Sequence, residues 1–467
     1  MFDGILQRFA ERAPASVMVR GLLERLLNAE RLDRWFEVTR AEQYTRQILF
    51  SSLVGLMLQI VCRVQANVHA AYRESSITAS VVAVYDKLQG VELSTSQGLV
   101  RLIAGDAAEI IDELGGTRAE RLPGYRLRYL DGNCVAASER RLKPLRDSAA
   151  APLPGKALVV FDDARGLLSD VFPCADGHAQ ERSLLEEVAE TVQANELWIA
   201  DRNFCVTAFL AAIAWRQAAF IIRHHTGLSV KPLSALQPLG RNGDGDLFEQ
   251  AVQITDADGH TWTWRRIVLK LKQPTRDGHR DLILLSNLPA EQADAATVAE
   301  LYRGRWTIET AFQKLEGHLN SELNALGYPQ AALFGFCLAL VAFNLYAVVM
   351  AALRAAHPEA KVDETVSEYY LAAEIARTTD GLNIAVEQEQ WTVFTQVDQL
   401  RFCAMLLVLA QNVDLKKLRK TTRGPKKPRT PRTKHTGKPH VSTGKLLAQA
   451  AAPSRPSVSC TNRSTVA

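Results

Sequence analysis

The chain has 467 residues, 47% hydrophobic and 23% charged, an ordinary soluble globular composition with room for two to four domains. The net charge of +4 is unevenly divided: residues 415–467 hold 14 Lys and Arg and no Asp or Glu, so residues 1–414 keep 41 basic against 51 acidic residues, a charge of −10. Seven scattered cysteines (Cys62, Cys134, Cys174, Cys205, Cys337, Cys403, Cys460) exclude a disulfide framework, and MFDGILQRFAERAPAS lacks the basic start and apolar run of a secretory signal, so a cytoplasmic address is expected.

From about residue 18 to 115 apolar residues recur at helical spacing, as in VMVRGLLERLLNAERLDRWF, and predict a helical N-terminal domain over residues 1–120. Ser75 and Ser76 are candidate caps for SSITASVVAVYDKLQG, which stops at Gly90. At Tyr125 the pattern changes to alternation: YRLRYLDG predicts a strand running up to Asp131. GKALVVFDDARGLLSDVF predicts two strands around an Asp-Ala-Arg-Gly turn, AQERSLLEEVAETVQ a helix, and LWIA a buried central strand that ends at Asp201. A further helix, VTAFLAAIAWRQ, and strand, AAFIIRH, complete an α/β alternation that implies a mixed sheet.

Residues 226–287 differ in texture, with short alternating runs around the turn signal DADG, and predict a small β-meander inserted in the α/β domain. Helical spacing returns from Asp294 to Ala410. Within it, Ala331 to Leu353 is 23 residues without a charge, long enough to cross a bilayer; its single occurrence and Asn344 in its middle favour a helix buried on all sides. The segment after Asp414, KKLRKTTRGPKKPRTPRTKHTGKPH, has little apolar content and predicts a disordered tail over 414–467.

Chemistry concentrates in YRGRWTIETAFQKLEGH. On one continuous helix Tyr302, Arg305, Glu309 and Glu316 would form a stripe roughly 20 Å long, backed by Trp306, Ile308, Phe312 and Leu315. Glu309 is then a candidate buried or metal-bound carboxylate, and a metal site for phosphodiester chemistry needs further carboxylates from other elements. Asp131 and Asp201, each at a predicted strand end, are the best donors; alone, either fits a turn or helix cap. Asp162 and Asp163 also follow a strand, in a setting closer to a hairpin turn. Cys174, His178 and the pair His224-His225 lack the spacing of a zinc site, and no Walker or dinucleotide loop is present.

These residues resemble the IS-four insertion-sequence family of DDE transposases. YRGRWTIE fits the family's Tyr-x2-Arg-x3-Glu signature at Tyr302, Arg305 and Glu309, with LDGN at Asp131 and ADRNF at Asp201, and the likeness covers roughly residues 20–410. It implies an α/β RNase H-like catalytic core over 121–413 with a β-rich insertion at about 226–287, flanked by the all-helical N-terminal domain and a helical C-terminal region at about 360–413. It also implies that Asp131, Asp201 and Glu309 bind two Mg²⁺ ions, with Mn²⁺ as a substitute, for cleavage and strand transfer at the element's ends. Tyr302 and Arg305 would contact phosphates of double-stranded DNA, terminal repeats and target alike, in a homodimer and without a membrane.

The family signature continues with a lysine where this chain has Glu316, leaving Arg303 or Lys314 as replacement cations. Trp262 and Trp264 share a strand face, either as a packed pair or as a stacking surface for a displaced base. Lys416, Lys417, Arg419 and Lys420 open the cationic tail and are candidates for sequence-independent phosphate contact. The rival functions are a DNA-binding descendant without turnover, which Glu316 motivates, and a nuclease that hydrolyses without strand transfer.

Overall fold

The computed structural model describes residues 2, 4–135, 154–177, 179–274, 278–323 and 325–421. Seven helices come first: α1 (Gly4–Arg12), α2 (Pro14–Leu26), α3 (Ala29–Thr39), α4 (Phe50–Val61), α5 (Val68–Arg73), α6 (Val81–Gln89) and α7 (Leu93–Leu114). Their ends follow local chemistry. Asn28 caps α3 by accepting from the Arg31 N–H at 3.2 Å, and Gly115, at φ 64°, ends α7 in the left-handed conformation that a glycine adopts at little cost. The cap of α6 is Ser80 rather than Ser75 or Ser76; the Ser75 hydroxyl instead donates to the Tyr72 carbonyl at 2.8 Å and closes α5.

The sheet is built from β1 (Arg126–Val135), β2 (Gly155–Asp162), β3 (Leu167–Cys174), β4 (Glu196–Ala200), β5 (Ala219–Arg223), β6 (Lys231–Pro232), β7 (Gln237–Arg241), β8 (Gly245–Thr255), β9 (Thr261–Leu271) and β10 (Asp281–Ser286). Its order is β3-β2-β1-β4-β5-β10-β9-β8-β6, with β7 also on β8. The first three strands are antiparallel, whereas β1, β4 and β5 run parallel, with α8 (Leu185–Thr191) and α9 (Thr207–Trp215) among the connections. The meander is therefore not a separate small sheet: β10 pairs with β5, Leu285 opposite Ile222, so the insertion widens the central sheet to ten strands. An edge strand with free backbone groups invites such pairing.

Beyond the sheet come α10 (Ala295–Arg303), α11 (Trp306–His318), α12 (Pro329–Ala356), α13 (Val362–Thr365), α14 (Glu368–Ala385), α15 (Gln388–Trp391) and α16 (Gln399–Gln411). Helix α12 is the apolar segment: every residue from Ala331 to Leu353 is buried, packed by α7, α16, α4 and β3. The helical N-terminus and the sheet thus share one core, and Met1–Lys420 is a single compact unit. Asn344, fully buried, accepts from the Leu168 N–H and donates to the Leu168 carbonyl, both at 2.9 Å. Its amide satisfies the outward backbone groups of edge strand β3, which explains a polar residue in the middle of an apolar helix.

The cationic segment does not begin as a loose chain. Leu418 is 2% exposed, its carbonyl accepts from the Ser367 N–H at 2.7 Å, and Arg419 bridges Val366, so residues 415–420 are fixed against the start of α14. Two leucines among the lysines supply the anchor that charge counting overlooks. The rest of the tail, 422–467, lies outside the described residues, as does His178.

Candidate active site

Parallel pairing of β1 with β4 sets Leu130 opposite Ala200, so the next residues, Asp131 and Asp201, stand side by side on the sheet. Here β4 ends, and Asp201 caps a short 3₁₀ turn by accepting from the Asn203 N–H at 2.7 Å. Strand β1 continues to Val135, so Asp131 lies within a strand, opposite Val159, and not at a strand end as the Asp-Gly-Asn sequence suggested. Continued pairing with β2 carries the backbone past the glycine.

Glu309 comes from the first turn of α11. The expected continuous helix is broken: α10 stops at Arg303 and α11 starts at Trp306, so Tyr302 and Glu309 belong to different helices and the single stripe does not exist. Gly304 makes the junction possible, because a Cβ there would collide with the Tyr129 hydroxyl and Arg121. Arg305, at the start of α11, donates to Asp131 Oδ2 at 3.1 Å and to Glu309 Oε1 at 2.5 Å.

Burial and crowding set the charges. Asp131 is pushed up to about 6, first by burial and then by Asp201 and Glu309, against the pull of Arg305 and the Gly132 N–H. Burial raises the Tyr302 phenol to about 12. Arg305 loses by burial but gains more from Tyr302, Asp131 and Glu309, so it stays firmly cationic.

Among the described residues no three His, Cys, Asp or Glu side chains converge tightly enough to hold a metal ion, because the Arg305 guanidinium lies between Asp131 and Glu309. The donor chemistry nevertheless suits a hard divalent cation: three carboxylates on neighbouring elements, one with its proton affinity raised first by burial and then by the other two. Arg305 supplies the missing positive charge, and its buried Nε has no partner.

A cleft of about 790 Å³ opens on this edge, lined by Arg202, Arg223, Lys272, Arg303 and Arg305 against Asp201, Asp244 and Glu309, together with Tyr302 and Trp306. Cations outnumber acids five to three, a surplus that suits a phosphodiester backbone. Sequence reasoning missed Arg202, Arg223, Lys272 and Trp306. Arg223 was within its reach: β5 pairs in parallel with β4, Ala200 opposite Ile222, so the strand-end rule that singled out Asp201 also selects the last residue of AFIIR. Lys272 carries no such signal, since only the β9 hairpin register delivers it.

The other expected residues lie elsewhere. Arg303 is on the cleft and paired with Asp244, but Lys314 faces away, bonded to Glu368 at 2.6 Å, and the Glu316 side chain is exposed. Asp162 and Asp163 are buried in the β2–β3 turn, paired with Arg128, Arg165 and Arg121, a structural ion network. Trp264 is 3% exposed, edge-on to Phe220, and Trp262 packs on Trp215 and His260 while donating to Asp256 at 3.1 Å; neither lines the cleft. Trp264 in particular is core and presents no face to a base. Trp306, in contrast, is 61% exposed at the cleft. Lys416, Lys417, Arg419 and Lys420 are solvent-facing, off the cleft, with Lys420 Nζ on the Asp363 carbonyl.

Residues 152–345 match the family model described as Transposase DDE domain, a span that includes Asp201, Tyr302, Arg305 and Glu309 and begins after the strand that carries Asp131. No curated protein matches the sequence. Among solved structures, the chain is similar to one described as "Cryo-EM structure of piggyBac transposase synaptic complex with hairpin DNA (SNHP)", at 10% identity and a TM-score of 0.39 over 83% of this chain and 86% of that one.

Proposed function

We propose that the protein is a DDE transposase, an enzyme of DNA transposition, of the IS-four type, and that it works at the edge of the sheet where Asp131 and Asp201 meet Glu309. The observation that carries this reading is the register of β1 on β4, which supports Asp131 as the neighbour of Asp201, itself on the cationic cleft, although the matched domain starts beyond Asp131. The order β3-β2-β1-β4-β5, antiparallel then parallel, supports an RNase H-like core, with β6–β10 as the insertion and the N-terminal helices as the reader of terminal repeats.

Asp131, Asp201 and Glu309 would hold the metal. When bound, two divalent ions of the Mg²⁺ or Mn²⁺ kind supply charge stabilisation on the reacting phosphate oxygens and acidify the attacking water or 3′-hydroxyl. The chain's own residues do the rest. A phosphate entering the cleft competes with Asp131 and Glu309 for the Arg305 guanidinium, whose fork fits phosphate as well as carboxylate. Arg202, Arg223, Lys272 and Arg303 line the path of the strand. The exposed Trp306 indole offers a stacking surface for a base beside the reacting phosphate, the alternative to a packed pair that the sequence left open for Trp262 and Trp264. A cytoplasmic protein acting on its own terminal repeats and target DNA, as a homodimer when two ends are joined, completes the reading.

The test is cleavage of a duplex carrying the element's own ends, with Mg²⁺ or Mn²⁺, by the native chain and by Glu309→Gln. Metal-dependent nicking at the end, followed by joining to target, is expected from the native chain, and Glu309→Gln should bind DNA without cutting. Cleavage that persists in Glu309→Gln would sink the assignment of that carboxylate, and hydrolysis without joined products would favour a nuclease.

A further inference from the structure

Asp131 lies within β1 and Asp201 just past the end of β4, and a second connection between their segments reaches them from the opposite face of the sheet. Asp131 shares the face of Tyr129, which meets Gly304 at the helix junction, so Gly132 faces the other way. There it meets Glu181, in the 3₁₀ turn Glu181–Leu184 ahead of α8: a Cβ on Gly132 would strike the Glu181 carboxylate. The same carboxylate accepts from the Asn203 side-chain amide through Oε2, and Arg182 Nε donates to the Asn203 carbonyl at 2.7 Å. Asn203 in turn gives its backbone N–H to Asp201 Oδ1 at 2.7 Å. Lys156 on β2 ties the approach to this turn by donating to the Ala179 carbonyl.

We propose that Glu181 is a positioning residue: it clamps Gly132 and Asn203, the neighbours of the two aspartates, and thereby fixes the spacing of Asp131 and Asp201 for metal binding. This rests on the reading of those aspartates as metal ligands. Packing against Gly132 fixes the height of the Asp131 backbone. The Asn203 bond fixes the turn whose N–H orients Asp201. Side chains that orient metal ligands without touching the ion typically govern metal affinity by 10- to 100-fold. The clamp also gives the glycine of LDGN and the asparagine of ADRN a physical reason: the first leaves room for the carboxylate, and the second donates to it.

The test is Mn²⁺ binding by the full chain on end duplex, followed by electron paramagnetic resonance, with thermal unfolding in parallel. Glu181→Ala should weaken Mn²⁺ binding about tenfold while unfolding stays close to native. Glu181→Gln, whose amide oxygen still accepts from Asn203, should bind within about threefold of native, since a neutral acceptor weakens the bond without breaking it. Gly132→Ala, which displaces Glu181 without altering any carboxylate, should reproduce the Glu181→Ala loss. Native-like Mn²⁺ affinity in Gly132→Ala and Glu181→Ala would overturn the clamp, as would an equal loss in Glu181→Gln and Glu181→Ala. Should Glu181→Ala fail to fold, Gly132→Ala and Glu181→Gln decide by the same criteria. A native chain that binds no Mn²⁺ would overturn the metal reading as well, and so separates the two failures.

Discussion

Arg305 donates to Asp131 across 174 positions of sequence, Nη1 to Oδ2 at 3.1 Å, with side chains only 13% and 18% exposed. The same guanidinium holds Glu309, so one cation balances two of the three candidate metal ligands. In the absence of metal that charge keeps the carboxylates from repelling one another. Under the proposed function the same group turns to a phosphate, for which its fork is suited.

Arg305→Ala should therefore destabilise the metal-free chain by about 3 kcal/mol, the lower end for breaking a buried pair and leaving its partners uncompensated. Mn²⁺ should restore much of that loss, with a larger thermal upshift than in the native chain. Equal Mn²⁺ upshifts in the two proteins would show that Arg305 does not offset the carboxylates. Arg305→Lys should recover stability better than DNA cleavage, because a point charge replaces a bidentate fork.

Asn344→Leu tests the buried amide of α12. Two backbone groups of Leu168 lose their partners, so a loss of roughly 2–4 kcal/mol is expected by chemical denaturation, although leucine is more apolar than asparagine. A stability equal to native would mean that water or backbone movement satisfies Leu168 instead.

Truncation of the aromatic residues should separate core from cleft. Trp264→Ala removes a buried ring packed on Phe220 and should cost about 3–5 kcal/mol of stability. Trp306→Ala should leave unfolding within about 0.5 kcal/mol of native, as exposed positions do, while end cleavage falls. If Trp306→Ala processed ends at the native rate, base stacking at that position would be excluded.

His318 gives an acid limb to stability. Burial holds its imidazole below the usual value, with Lys314 and Arg63 opposing protonation and Glu368 favouring it. Its ring lies edge-on to Tyr369 at 5.6 Å. A group whose folded pKa is lowered adds full stability above its unfolded pKa, ~6.5, and loses it as pH falls through the folded value. The midpoint of unfolding should drop as pH falls from ~6.5 to the lowered folded value, and His318→Gln should flatten the drop. An unchanged pH profile would assign the acid limb to other groups.

Residue pattern alone determined a good deal of this protein. The alternation of YRLRYLDG, the continuous apolar run LWIA, the hairpin around Asp-Ala-Arg-Gly, helical spacing, and the 23 uncharged residues of α12 identify the main elements, because side-chain period and apolarity are local properties. The signature YRGRWTIE directed attention to Tyr302, Arg305 and Glu309 for the same reason: spacing is written in the chain. Tertiary structure decided which elements meet. That Asp131 stands beside Asp201 follows from parallel register, and the joining of the insertion to the sheet from an available β5 edge; neither has a local signature. The helix break at Gly304 comes from the approach of Tyr129 and Arg121, residues remote in sequence, and the same approach exposes Trp306 and lets Arg305 reach Asp131. Periodicity names the face a residue occupies; only packing, which satisfies buried backbone and charge across long separations, names its partner.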